Sequence, residues 1–172
     1  RDGLKLESFE GKALAENVMK RWDPDMFVDL HTTNGTWHGY EITYAPGLTT
    51  AGHPGSEEYM NTQLLPWLTN HLRERTGFET FFYGGFYEYP PKQYWGMYPE
   101  PRFLTNSFAL KNKLALLVET FSHDHFEKRI MSNVNFVSGL LEYTHNHSSE
   151  IVSLLEDIDN QVIQEILELD NS

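Results

Sequence analysis

Two short apolar runs, each closed by a side chain capable of chemistry, constrain this chain more than any other feature. Residues 27–31 end in His31, and residues 114–119 end in Glu119. A buried strand of an α/β sheet delivers a side chain to a cleft at its carboxyl end in this way. A carboxylate after so apolar a run is usually paired or functional, because burying it alone is costly or raises its pKa. His31 and Glu119 are therefore the candidate site residues, although a histidine after a strand is more often a hydrogen-bonded structural residue.

The charge balance argues against several classes of partner. A formal charge of -12 on 172 residues disfavours nucleic acid and anionic membrane surfaces, because both require clustered Lys and Arg. The chain has no cysteine, so any metal must be bound by His, Asp or Glu. No apolar run has membrane length, and 40% hydrophobic residues predict one globular domain over residues 1–172. A start at Arg1, without an initiator methionine or a signal peptide, predicts a fragment or a processed form.

The order of predicted helices and strands is typical of an α/β fold. Ser8 is a candidate N-cap for a helix over residues 7–22, and a strand over 26–32 follows after a short proline-containing connection. Ser56 is expected to cap a second helix, which Pro66 should kink or interrupt. Further strands are predicted at residues 40–44, 79–83 and 114–119. This order predicts a mixed, mainly parallel β-sheet flanked by helices.

A helical region is predicted at about residues 125–170. Asp124 and Glu127 have the spacing of a capping box. The buried stripe of the first helix is predicted to consist of Phe126, Ile130, Val134, Val137 and Leu141. The final helix has its stripe at Ile151, Leu154, Leu155, Ile158, Val162, Ile166 and Leu169. Its acidic opposite face is most simply solvated, and a docking helix for a partner is the alternative.

Several segments resemble the second half of the catalytic domain of zinc metallocarboxypeptidases. They are residues 27–35, then His38-Gly39-Tyr40 and Thr43-Tyr44-Ala45-Pro46, and above all Leu116-Leu117-Val118-Glu119-Thr120-Phe121-Ser122. The resemblance extends to about Arg129. It implies a three-layer α/β/α fold of the phosphorylase/hydrolase-like kind, incomplete at its N-terminus.

The resemblance also implies roles for individual residues. In that family a His-x-x-Glu pair and a later histidine hold the zinc, and a glutamate is the general base. His31 matches the later histidine, and Glu119 matches the base. Arg1 resembles the arginine that binds the C-terminal carboxylate of the substrate.

The segment between residues 83 and 103 is rich in tyrosine, tryptophan, glycine and proline. It lies where the family has a mobile loop with a functional tyrosine, and Tyr94 and Tyr98 are the candidates. Arg102 and Asn106 precede the last strand and are expected either to face the cleft or to pin the loop. His123 and His125 have the spacing of a metal pair but are interpreted as structural.

The resemblance leaves the zinc site incomplete. It places the His-x-x-Glu pair upstream of Arg1, and His31 alone cannot hold zinc, which normally has three protein ligands. The expected partners are therefore a missing N-terminal half of the domain, Zn²⁺, and a peptide or small amidated amino-acid substrate. Localisation stays unknown, with a lean toward a periplasmic or secreted protein that rests on the resemblance alone.

Three functions remain open from the sequence. The first is a zinc-dependent carboxypeptidase that removes a C-terminal amino acid from a peptide. The second is a zinc-dependent deacylase of N-acyl amino acids, similar to succinylglutamate desuccinylase or aspartoacylase. The third is a noncatalytic domain of the same fold. The aromatic segment and the Val-Glu-Thr-Phe-Ser context of Glu119 favour the peptidase.

Overall fold

The computed structural model describes residues 2–48 and 51–170. The strands, in chain order, are β1 (Met26–Thr32), β2 (Ile42–Pro46), β3 (Thr80–Phe82), β4 (Gly84–Phe86), β5 (Tyr94–Gly96) and β6 (Leu114–Thr120). Four of them form one sheet in the order β1-β6-β2-β3, and β4 and β5 form a separate hairpin. β1 runs parallel to β6, β3 runs parallel to β2, and β2 runs antiparallel to β6. The prediction of a mixed, mainly parallel sheet with helices is confirmed.

Helices connect and cover these strands. In chain order they are α1 (Phe9–Leu14), α2 (Lys20–Trp22), α3 (Gly55–Tyr59), α4 (Leu65–Thr76), α5 (Leu104–Ala109), α6 (Phe126–Asn146) and α7 (Ser148–Asp170). π-Helical turns at Ala15–Met19 and Met60–Leu64 join α1 to α2 and α3 to α4. Ser8 caps α1 as predicted, because its hydroxyl accepts a hydrogen bond from the Gly11 N–H. Among the described residues, no helix combines the length and apolarity that a membrane crossing needs.

One face of the sheet carries the larger core. Alternate residues of a strand point to opposite faces, so Leu114, Leu116 and Val118 of β6 share this face. They pack against buried residues of the π-helical turn before α4 and of α4, α6 and α7, among them Leu64, Leu65, Leu68, Leu72, Phe136, Leu140, Leu155 and Ile158. Each such side chain contributes about 1.5–3 kcal/mol by leaving water. This face therefore supplies most of the folding energy.

The opposite face has a smaller core that leaves room for a cleft. Phe27 of β1 stacks on Phe108 of α5, with 4.1 Å between ring centroids. The Gly47 N–H donates to the Ala115 carbonyl, and a Cβ at Gly47 would lie 2.4 Å from the Cβ of Ala109. Glycine at this position therefore lets α5 lie directly on the sheet. Because α5 spans only six residues, the carboxyl ends of β1 and β6 stay open beyond it.

Three local predictions are wrong: two helix caps, described first, and the buried stripe of α6. Pro54, not Ser56, precedes α3, and Ser56 is buried inside that helix. Asp124 does not cap α6; its carboxylate lies 3.1 Å from the Lys128 ammonium, and His125 precedes the helix without a side-chain cap. The Asp124 carboxylate therefore pairs with a side chain of the first turn of α6 instead of capping a backbone N–H group.

The predicted buried stripe of α6 is also wrong. Phe126, Ile130, Val134 and Leu141 are exposed, whereas the core side of the helix carries Ser132, Phe136, Gly139, Leu140 and Tyr143. The predicted stripe of α7 is confirmed only in its first half. Ile151, Leu155 and Ile158 are buried, but Ile166 and Leu169 are exposed because the helix extends past the core.

Candidate active site

His31 and Glu119 occupy paired positions on adjacent parallel strands. The register of β1 and β6 sets His31 opposite Glu119 and Asp29 opposite Leu117. Residues two apart on a strand share a face, and paired residues of neighbouring strands point the same way. Asp29, His31 and Glu119 therefore lie on one face, at the carboxyl end of the parallel pair. Ligands of open α/β sheets bind at such ends.

The His31 imidazole is held by a carboxylate on its own strand. Nε2 of His31 lies 2.9 Å from Oδ1 of Asp29. A carboxylate at this distance favours a proton on Nε2 and leaves the lone pair on Nδ1, which is how metal-binding histidines are commonly oriented. His31 is exposed rather than buried, because β1 is the outer strand next to β6 in the described sheet.

Glu119 is a buried carboxylate whose two oxygens are not both hydrogen-bonded. Glu119 is 6% exposed, and its Oε2 atom has no hydrogen-bond partner in the described part of the chain. Burial raises the pKa of Glu119 to about 7; nearby His31 opposes the rise and nearby Asp29 adds to it. A carboxyl group that exchanges a proton near neutral pH is suited to general acid–base work.

Thr43 adds a second orphaned polar atom beside Glu119. The two residues are paired across β2 and β6, so their side chains lie on the same face. The Thr43 hydroxyl is buried and, like Oε2 of Glu119, makes no hydrogen bond among the described residues. Buried polar atoms are nearly always paired in native proteins. Two orphans at adjoining positions mark this spot for a polar ligand or solvent.

A cavity of about 370 Å³ opens in front of these side chains. Its polar wall includes Asp29, His31 and Glu119, and its other walls consist of Tyr83, Met97, Phe103, Leu104, Thr105 and Leu117. The apolar walls lower the local dielectric around the carboxylates, which strengthens electrostatic interactions inside the cavity. The volume is within the range of small-molecule sites.

The two candidate tyrosines lie outside this cavity. Tyr94 lines a different cavity of about 440 Å³, and its hydroxyl donates to the Phe82 carbonyl. Burial raises the pKa of Tyr94 to about 12. Tyr98 is exposed, and a hydrogen bond with Tyr87 raises its pKa. Tyr83 is the tyrosine that lines the Glu119 cavity. The roles of Tyr94 and Tyr98 stay predictions.

Asn106 forms a clamp beside the cavity. Its amide is fully buried; Oδ1 accepts from the Leu48 N–H, and Nδ2 donates to the carbonyls of Tyr98 and Glu100. Arg102 is exposed, 3.5 Å from a carboxylate oxygen of Glu100. This geometry matches the expectation that both residues pin the loop more closely than the expectation that they face the cleft.

Arg1 lies outside the described residues. The segment that follows it is tied to the wall of the cavity. The Gly3 N–H donates to the Arg102 carbonyl, and the Gly3 carbonyl accepts from the Ser107 hydroxyl of α5. Asp2 accepts two hydrogen bonds from Ser8, which lower the pKa of Asp2.

His123 and His125 lie at the junction between β6 and α6, and their interpretation as structural residues stays a prediction. The His123 ring stacks on Trp37 at 3.7 Å between centroids, and its Nε2 lies 3.0 Å from the Gly35 carbonyl oxygen. His125 precedes α6 at its N-cap. The His123 ring therefore has a packing and hydrogen-bonding role in this part of the structure.

The donor set fits one ligand of a zinc site rather than a whole site. Nδ1 of His31 is the nitrogen that could bind a metal. In the described part of the chain, no group of three or more His, Cys, Asp or Glu side chains could hold a metal ion. The His-x-x-Glu spacing itself occurs three times, at His38/Glu41, His71/Glu74 and His147/Glu150. None of these belongs to such a group, so the spacing alone does not create a metal centre.

Reasoning from the sequence missed three residues that surround Glu119. Asp29 had a readable signal, because it lies two residues before His31 on a strand and must share its face. Thr43 and Tyr83 had none, because their proximity depends on the antiparallel register of β2 and on the path of the chain after β3.

Comparison with protein-family models, curated proteins and solved structures finds no significant match to this chain.

Proposed function

We propose that this chain carries the general base and one metal ligand of a zinc-dependent carboxypeptidase. The observation that carries the proposal is the pairing of Glu119 and His31. A buried carboxylate with an unpartnered oxygen lies opposite a histidine that Asp29 orients, inside one cavity. The resemblance to zinc metallocarboxypeptidases assigns the same two residues to catalysis and to metal binding.

His31 is proposed to bind Zn²⁺ through Nδ1, with Asp29 fixing the ring through Nε2. A bound Zn²⁺ would polarise the scissile carbonyl and acidify water. The further ligands are proposed to come from a segment outside this chain, upstream of Arg1 in the complete gene product. A three-layer α/β/α arrangement of the hydrolase kind is part of the proposal, supported by the packing of helices against residues of both sheet faces.

Glu119 is proposed to move the proton during hydrolysis. Its carboxylate accepts a proton from the attacking water and then donates it to the nitrogen of the leaving amine. A pKa of about 7 lets one group perform both transfers near neutral pH. The same burial that raises this pKa keeps bulk water from competing for the proton.

The substrate is proposed to be a peptide that loses its C-terminal amino acid. A guanidinium is the natural partner of a substrate carboxylate because its donors match two oxygens. Arg1 is proposed for this contact, supported by the hydrogen bonds that tie Gly3 to Arg102 and Ser107 beside the cavity. Those bonds hold the segment after Arg1 next to α5.

The test is a substrate panel with the complete gene product, using peptides with free C-termini and N-acyl amino acids. We expect release of C-terminal amino acids, and Glu119→Gln should lower kcat by orders of magnitude while zinc content stays unchanged. Glu88→Gln, on an exposed loop residue paired with Lys92, is the matched control and should keep full activity. Turnover of N-acyl amino acids alone would instead establish the deacylase, and no turnover of either class would favour the noncatalytic domain.

A further inference from the structure

A second cavity lies away from the Glu119 site and has an unusual charge. It measures about 360 Å³ and shares no lining residue with the Glu119 cavity. Its charged lining residues are three lysines and two aspartates, Lys20, Lys111, Lys113, Asp23 and Asp159. The remaining walls are Ala15, Met19, Pro24 and Phe108. The formal charge of the whole chain is -12, so this lining reverses the overall sign.

The two lining carboxylates are already engaged. Asp23 lies 3.1 Å from the Lys113 ammonium, and Asp25, just outside the cavity, lies 3.6 Å from it. Oδ1 of Asp159 accepts a hydrogen bond of 2.8 Å from the Asn112 side chain. Lys113 is therefore paired with Asp23 and Asp25. Asp159 keeps its negative charge, but its contact is with the neutral Asn112 amide, and it forms no ion pair among the described residues.

The other two ammonium groups have no such partner. Lys20 and Lys111 form no ion pair within the residues that the structure describes. The Lys111 nitrogen lies 5.8 Å from the centre of the Phe108 ring, a weak contact compared with a carboxylate. Two unpaired positive charges at one cavity attract an anion, and their N–H groups donate charge-assisted hydrogen bonds to it.

The inner wall of the cavity is apolar and rigid. Phe108 and Met19 are buried, and Phe108 is fixed by its stack on Phe27. The aliphatic stems of lysine side chains also cover apolar groups while their ammonium ends stay in water. A ligand suited to this cavity therefore needs an anionic head and a hydrocarbon body.

We propose that this cavity binds a small organic carboxylate with an apolar body. The carboxylate lies between the ammonium groups of Lys20 and Lys111, and the hydrocarbon part contacts Met19 and Phe108. Inorganic phosphate supplies only the anionic half of this complementarity, and a neutral alcohol supplies only the apolar half. The site is independent of the proposed hydrolysis, because the two cavities share no residue.

The test is a titration of the purified protein by calorimetry and by amide NMR shifts, with hexanoate, hexan-1-ol and inorganic phosphate as probes. Hexanoate should bind saturably and shift the amides of residues around Met19 and Phe108, and the other two probes should bind more weakly. Lys20→Gln and Lys111→Gln should each weaken hexanoate binding about five- to tenfold. Both residues are exposed, so the variants should keep the urea midpoint of the parent protein.

Lys92→Gln is the matched control, because Lys92 is an exposed lysine elsewhere on the surface. It removes the same charge and should leave hexanoate binding unchanged. Three results would each overturn the proposal: no saturable binding of hexanoate, equal binding of hexan-1-ol, or binding that the Lys20 and Lys111 variants leave unchanged.

Discussion

Glu119 lies directly opposite His31 across the parallel pair of β6 and β1, and the two side chains share one face of the sheet. The two residues are 88 positions apart in the sequence, and the strand register brings the buried carboxylate of Glu119 beside a histidine that contacts Asp29. The pairing explains why the cavity has a titrating group beside a potential metal ligand. It also makes the stability of the protein depend on the charge of Glu119.

Replacing Glu119 by glutamine should stabilise the protein at high pH. The folded-state pKa of Glu119, about 7, is above its ordinary value of 4.5, so the folded protein binds this proton more tightly than the unfolded chain. The penalty for burying the charge is absent below the ordinary value, grows as pH rises toward 7, and is complete above it. Glu119→Gln should therefore gain about 1–3 kcal/mol above the raised pKa and almost nothing in acid.

Urea unfolding at one acidic and one alkaline pH measures this difference. Glu88→Gln, which changes an exposed carboxylate, is the control and should follow the parent protein at both pH values. Equal stability of Glu119→Gln and the parent across the pH range would mean that burying the ionised Glu119 carboxylate costs no free energy of folding.

Thr43→Val should stabilise the protein, which is unusual for a substitution at a buried residue. The Thr43 hydroxyl is buried without a hydrogen bond in the described structure, so its removal ends a desolvation penalty of about 1 kcal/mol. Thr80→Val is the matched control, because the Thr80 hydroxyl is 2.9 Å from that of Thr69. It should lose about 1 kcal/mol in the same urea experiment. A loss at both positions would show that the Thr43 hydroxyl has a partner.

Asn106→Ala should destabilise the protein by about 2–4 kcal/mol, because it removes three hydrogen bonds at a buried site. The segment from Tyr98 to Glu100 should also become more sensitive to proteolysis, since two of those bonds hold its carbonyls. Asn17→Ala is the control; the Asn17 amide bonds the Ala13 carbonyl on an exposed helix and should matter little. An unfolding free energy equal to that of the parent would remove the clamp from the account.

Asp29→Asn should weaken zinc binding in the complete gene product about 10- to 100-fold, because a neutral amide accepts a weaker hydrogen bond from Nε2 of His31 than a carboxylate and raises the basicity of the ring less. Competition with a chelator measures the dissociation constant. Asp25→Asn changes an aspartate that contacts Lys113 instead and should leave zinc binding unaltered. Identical zinc affinities for the parent and Asp29→Asn would remove Asp29 from the site.

Strand positions could be predicted from the sequence, because the signal is local. The strand predicted over residues 26–32 matches β1, and the run that ends in Glu119 matches all but the last residue of β6. Which strands become neighbours is not local. The antiparallel placement of β2 beside β6, which brings Thr43 to Glu119, depends on packing across the whole sheet.

The buried face of α6 was harder to predict, because hydrophobic periodicity fits more than one face. Apolar residues occur on two sides of α6, so periodicity fits both Phe126, Ile130 and Val134 and the face that is actually buried. Small residues decide the outcome. A Cβ at Gly139 would lie 2.8 Å from Leu68 of α4, so that face can approach its neighbour more closely than a face of large side chains. Hydrophobic patterning does not weigh a glycine in this way.

The most direct test of the central claim is the zinc content of the complete gene product and of its His31→Ala variant. We predict about one equivalent of zinc in the parent protein and its loss in the variant, with the far-UV circular dichroism spectrum unchanged. Zinc that is absent from the parent, or that persists in His31→Ala, would contradict the assignment of His31 as a metal ligand.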